Sequence, residues 1–149
     1  MQPLLTVAAR NVGTPPNLTL FVGGTRPRCR MFGMQYYTWN TVNTEKMSEK
    51  ISRKVISGEK ATVAQVFLAK GAVVPTHQHE SEQIVYILEG ALQFQIEGKE
   101  IVVRAGEVLH IPSYVPHSAV ALEDTLDLDI FSPIRTDWLN GQDAYLRKG

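Results

Sequence analysis

At 149 residues, with 44% apolar and 20% charged side chains, the chain has the composition of one globular domain around one core, and its apolar runs of a few residues fall far short of the roughly 20 that span a bilayer. Its fifteen basic and fifteen acidic residues balance, but Arg10, Arg26, Arg28 and Arg30 are the only charges before residue 45, which leaves eleven basic against fifteen acidic residues downstream; that acidic remainder argues against nucleic acid as a partner, because phosphate contacts need a basic surface. Cys29 is the single cysteine, so an internal disulfide and a thiolate zinc site are both excluded.

Residues 1–33 are rich in Gly, Pro, Thr and Asn and hold no sustained period, which predicts an irregular N-terminal extension with at most a short strand at Leu18–Val22. Leu4, Leu5 and Val7 have no basic region ahead of them, so a secretory signal is not expected and the cytoplasm is the default location. The domain proper is expected over 34–149. An early strand near Tyr36–Val42, carrying Tyr36, Tyr37 and Trp39, would pack on the rest of the domain or on a second subunit and make a homodimer.

From Lys54 the pattern becomes one of strands: a short one, a turn at Gly58, and a longer alternating one through Leu68. Gly71 and Pro75 interrupt it ahead of His77 and His79. QIVYILEG and ALQFQIEG then give two strands divided at Gly90, the second with Leu92, Phe94 and Ile96 on one face and Gln93, Gln95 and Glu97 on the other. Glu97-Gly98-Lys99 fits a tight hairpin, and EIVV and EVLHIP continue the rhythm. TLDLDIF is the last strong strand, and its alternation puts Asp127, Asp129 and Phe131 on one side. SPIRTDWLNGQDAYLRKG reads as a short helical turn ending at Asn140-Gly141, followed by a loose tail. Many short strands, almost no helix and no fixed repeat predict an all-β sandwich or small barrel, most compactly a single jelly roll.

His77 and His79 are two apart, so a strand would project both imidazoles the same way, where they could share an ion with Gln83 after a short polar turn. Strand pairing could bring His117 beside them. His110 is expected to be a packed or hydrogen-bonded side chain.

Gly71, His77-x-His79, Gln83 and Gly90 stand at the spacings of the first cupin motif, and Gly98, Gly106, Pro112, Pro116 and His117 resemble the second. The resemblance covers about Lys54 to Phe131 and implies the double-stranded β-helix, the cupin jelly-roll barrel, with His77, His79, Gln83 and His117 holding one divalent metal ion. Where most cupins place a glutamate ligand this chain has Gln83, with Arg104 and Ala121 as further departures. Three imidazoles and an amide oxygen are neutral, so a bound ion would keep its full charge and act as a stronger Lewis acid. The set differs from the two-histidine, one-carboxylate group of iron oxygenases. Glu82, next to Gln83, is the substitute ligand, although its strand position points it to the opposite face. Zinc, nickel, iron, manganese and copper all suit such ligands.

Asp129-Ile130-Phe131-Ser132-Pro133-Ile134-Arg135, read with this ligand pattern, resembles the pectin-degradation cupins that linearise unsaturated uronates. That resemblance implies Asp129 as proton-transfer group, Phe131 as an aromatic wall against the sugar, and Arg135 as a clamp on the uronate carboxylate. The expected activity is conversion of a 4,5-unsaturated uronate to its linear 4-deoxy-5-keto form. The alternatives are another metal-cupin enzyme, such as a dioxygenase or isomerase, and a cupin that holds a small ligand without turnover.

Overall fold

The computed structural model describes residues 34–147; the expected extension 1–33, its possible strand and Cys29 lie outside the described residues. Residues from Tyr36 onward form one compact unit. Ten strands follow in order: β1 (Glu45–Lys46), β2 (Ile51–Ser57), β3 (Thr62–Leu68), β4 (Val73–His77), β5 (Glu82–Glu89), β6 (Ala91–Ile96), β7 (Lys99–Arg104), β8 (Val108–Ile111), β9 (His117–Ala121) and β10 (Thr125–Ser132). They make a six-stranded sheet ordered β1-β2-β3-β10-β5-β8 and a four-stranded sheet ordered β4-β9-β6-β7. All the pairings are antiparallel. The all-β jelly-roll expected from the sequence is the fold observed.

Alternation along each strand decides what faces inward. On β5, Gln83, Val85 and Ile87 are buried while Glu82, Ile84 and Tyr86 are exposed. Leu68, Ile87, Leu92, Phe94, Val103 and Ile111 form the centre of the core between the sheets. The predicted hairpin closes β6 onto β7 with both turn residues at positive φ, Glu97 at 50° and Gly98 at 74°, the conformation whose twist matches the strands it joins.

Three expectations are corrected. The segment Tyr36–Val42 is not a strand: Trp39–Thr41 is one 3-10 turn, Tyr36 is exposed, and the sheet edge is the two-residue β1. β2 begins at Ile51, three residues before Lys54, which brings Arg53 into the sheet. The C-terminal end is not a loose tail. After the helical turn α1 (Thr136–Leu139), a 3-10 turn at Ala144–Arg147 packs against β4 and buries Leu146 in the core.

Candidate metal centre and acid cluster

β4 and β9 pair with His77 directly opposite His117, and His79 follows in the loop after β4, where its carbonyl accepts a hydrogen bond from the Tyr114 N–H at 2.8 Å. The ring nitrogens these three histidines offer lie within 4.8 Å of one another. In every case Nδ1 is bonded to a backbone carbonyl: His77 to Pro75 at 2.9 Å, His79 to Ser81 at 2.7 Å and His117 to Val115 at 2.8 Å. A carbonyl can only accept, so each Nδ1 carries the proton and each Nε2 offers a lone pair. His117 Nε2 is buried without any partner.

Gln83, at the start of β5, completes the cluster. Its Nε2 donates to Asp129 Oδ1 at 2.9 Å, which turns its Oε1 toward His79 Nε2 at 3.2 Å. Two acceptors then face each other at a distance suited to neighbouring ligands on one ion with bonds of about 2.1 Å. The donor set therefore fits a divalent cation: three neutral imidazole nitrogens converge, the Gln83 oxygen lies beside that of His79, and the three histidine tautomers are fixed by backbone.

Electrostatics agree with neutral ligands. Burial, with the neighbouring imidazole His117, pulls His77 down to about 3; burial and the Arg135 charge pull His79 down to about 4, and burial lowers His117 as well. All three lone pairs are free at neutral pH.

β10 lies beside β5 with Phe131 opposite Gln83 and Asp129 opposite Val85. Thr125, Asp127, Asp129 and Phe131 face inward and are buried. Burial pushes Asp129 up to about 6, against the Gln83 hydrogen bond and the Arg135 charge. Asp127 is raised well above the usual carboxylate range, by burial and then by the negative charge of Asp129. Phe131 meets the ring of His79 edge-on at 5.5 Å and that of Trp138 at 5.0 Å. Ser81 Oγ donates to the Pro133 carbonyl at 2.7 Å, which ties the ligand loop to the end of β10.

Arg135 is buried, with its Nε and Nη2 donating to the two carboxylate oxygens of Asp137 at 2.9 and 2.7 Å, and Nη2 also to the Tyr145 hydroxyl at 2.8 Å. Burial opposes its charge, but Asp137 and Tyr145 together outweigh burial and hold it protonated. Glu82 is not among the converging groups: it points outward and meets His110 Nε2 at 3.1 Å. Both side chains are about half exposed, so His110 is hydrogen-bonded without being packed.

Four participants were missed in the sequence. Tyr145 stacks on His77 with centroids 4.3 Å apart and 21° between planes. Asp143 is buried on Arg53. Trp138 carries the guanidinium of Arg53 at 4.2 Å and that of Arg135 at 4.4 Å from its ring centroid. Arg53 stands on β2 in phase with the buried Ile51, and a charge at an apolar phase of a strand was the available signal. Arg53, Trp138 and Tyr145, with His77, His117 and the acids of β10, line a cavity of about 60 Å³.

The Cupin domain family profile matches residues 64–132. A pectin degradation protein, KdgF, of Dickeya dadantii is 30% identical over 108 residues, covering 70% of this chain and 98% of that one. An oxalate-binding protein of Thermotoga maritima is 31% identical over 86 residues, 57% of this chain and 69% of that protein. Among solved structures, KdgF from a Halomonas species superposes with a TM-score of 0.66 at 32% identity, over 70% of this chain and 99% of that one. An RmlC-like cupin from Shewanella frigidimarina, at 24% identity and a TM-score of 0.67 over 71% of this chain and 96% of that one, shares the fold.

Proposed function

Because this chain belongs to the cupin family, and matches nearly the full length of a pectin degradation protein within it, we propose that it is a metal-dependent enzyme converting a 4,5-unsaturated uronate, such as unsaturated galacturonate, to the linear 4-deoxy-5-keto form. The observation that carries this reading is the Gln83 amide, whose oxygen faces His79 while its N–H holds Asp129. A proton-transfer group is thereby fixed beside the histidine cluster.

The reaction is an isomerisation. A proton leaves the hemiacetal hydroxyl at C1, the C1–O5 bond breaks as the aldehyde forms, O5 becomes the enol oxygen on C5, and a proton reaches C4 as the ketone forms. No water is consumed. His77, His79, His117 and the Gln83 oxygen would hold one divalent ion, which supplies Lewis-acid stabilisation of charge on a substrate oxygen. Asp129 moves the proton: a carboxyl raised to about 6 can both accept and return it near neutral pH. Arg135 clamps the uronate carboxylate, which exchanges for the carboxylate of Asp137 on the same guanidinium fork. Phe131, with Trp138 behind it, is the apolar wall that fixes the ring.

The same reading includes a homodimer in the cytoplasm. Its support is an exposed apolar strip on the outer face of the six-stranded sheet, Phe67, Ile84, Tyr86 and Val108, and sedimentation checks it. The test of function follows the ultraviolet absorbance of the substrate double bond. Acceleration by the metal-loaded protein, abolished by a chelator and restored by one of zinc, nickel, iron, manganese or copper, is the expected result. No acceleration with any of them overturns the proposal. A second reading, binding of a small dicarboxylate without turnover, is favoured by the Thermotoga relative; oxalate titration alongside a silent turnover assay would select it.

A further inference from the structure

Among the described residues four buried side-chain atoms lack a hydrogen-bond partner: Arg53 Nη1, His117 Nε2, Asp127 Oδ1 and Asp143 Oδ1. Two have an account. His117 Nε2 is the lone pair offered to the ion, and Asp143 Oδ1 faces Arg147 Nε in an ion pair at 3.4 Å. Arg53 Nη1 and Asp127 Oδ1 have none, although both side chains are 3% exposed and both line the cavity. A buried polar atom left unmatched costs about 1–3 kcal/mol, so such a pair facing one cavity marks the place of a ligand.

The register places them together. Arg53 on β2 is opposite Val66 on β3, and Val66 is opposite Asp127 on β10, so one transverse row of the sheet carries both side chains on its inner face. Asp127 lies two residues from Asp129 on that face, roughly 7 Å farther along the strand. We propose that Arg53 and Asp127 form a hydroxyl-recognition subsite, in which Arg53 Nη1–H donates to one ring oxygen of a sugar acid and Asp127 Oδ1 accepts from a neighbouring ring hydroxyl. This rests on the reading of the site as acting on an unsaturated uronate, and it adds what selects among such substrates.

A hydroxyl fits better than a second carboxylate. Arg53 already donates from Nε to Glu45 at 3.0 Å and from Nη2 to Asp143, so two carboxylates match its charge and none is left over for an anion. The remaining N–H is a directed donor without surplus charge. A carboxyl oxygen accepts a hydroxyl proton whether or not the group is ionised. Trp138 and Asp143 hold the guanidinium in place, so the direction is set before a ligand arrives.

The test compares kcat/KM for two unsaturated uronates that differ only in the configuration of the C2 hydroxyl, threo and erythro, with Asp127→Leu beside the wild-type enzyme. A site that pairs with a hydroxyl rejects the misplaced one strongly, so the wild type is expected to favour one epimer at least tenfold. Asp127→Leu is expected to keep its metal content and fold, raise KM for the preferred epimer about tenfold with a smaller change in kcat, and bring the epimer ratio near one. Arg53→Gln should do the same if it folds; Asp127→Leu decides the matter if it does not. A wild type indifferent to the epimers, or an Asp127→Leu enzyme that retains the ratio, overturns the subsite while leaving the uronate reading intact. A wild type that turns over neither epimer with any metal overturns both.

Discussion

An amide has two ends, and at Gln83 both are used: the oxygen completes the histidine cluster and the N–H fixes Asp129. A glutamate would supply the oxygen but not the donor, and it would set two carboxylates against each other. Gln83→Glu is therefore expected to retain or tighten the metal while lowering turnover at least tenfold, measured by metal analysis beside the absorbance assay. Asp129→Asn should keep the metal and lose about 10²- to 10⁴-fold in turnover, the range for a positioned proton-transfer group. His79→Ala should lose both. An Asp129→Asn enzyme with full activity would remove Asp129 from the chemistry without touching the metal centre. Sequence spacing sufficed to nominate His77, His79 and Gln83, because β4, its loop and the start of β5 are continuous in the chain, whereas His117, on β9, came from the motif resemblance. It could not reveal that the glutamine also touches Asp129, since that contact spans 46 residues and exists only once β5 and β10 pair.

At the scale of elements, β10 concentrates what is unusual about this barrel, two buried acids on one strand face. Its alternation was legible, and so was their common side; that this side is the interior was not, because the opposite face, with Leu126, Leu128 and Ile130, is the more apolar one. The acids and histidines make opposed contributions to the pH dependence of the metal-free protein. Burial lowers the histidines from 6.5, so the unfolded chain takes up protons that the folded chain refuses, and stability falls as pH drops from about 6.5 toward 3. Burial raises Asp127 and Asp129, so their contribution is present at low pH and lost as pH rises through the folded values, about 6 for Asp129. The Asp127→Asn/Asp129→Asn double variant should be more stable than wild type in urea unfolding at pH 8 and should lose that advantage progressively as the pH falls toward 4. The turn ahead of β6 is constrained by space instead. A Cβ on Gly90, whose φ is +82°, would sit 2.4 Å from the Asp124 carbonyl oxygen and 2.9 Å from the Thr125 Cα, whereas one on Gly106 would meet nothing within 4 Å. Gly90→Ala should cost about 2–4 kcal/mol in the same assay and Gly106→Ala about 1 kcal/mol. The motif requires both glycines, but for different reasons.

For the whole molecule, the two ends of the chain should differ in what they contribute. A chain of 34–149 retains every residue assigned to the site and should keep turnover. The C-terminal end read as loose in sequence because QDAYLRKG has no period and only two apolar anchors, Tyr145 and Leu146. Its order comes from partners far back in the chain. Leu146 enters the core, Tyr145 stacks on His77, Asp143 binds Arg53 across 90 residues and Arg147 binds Glu45 across 102. A chain ending at Gln142 would leave Arg53 buried with only the partly exposed Glu45, and loss of one partner from a buried pair costs about 3–5 kcal/mol. It would also remove the Tyr145 ring from the wall of the cavity, where it stacks on His77. The truncated chain is expected to melt well below the full-length protein, to retain its three histidine ligands and bind metal when kept cold, and to lose turnover. If it instead melts with the full-length protein and turns over as fast, the C-terminal turn has no part in either the stability of the barrel or the reaction.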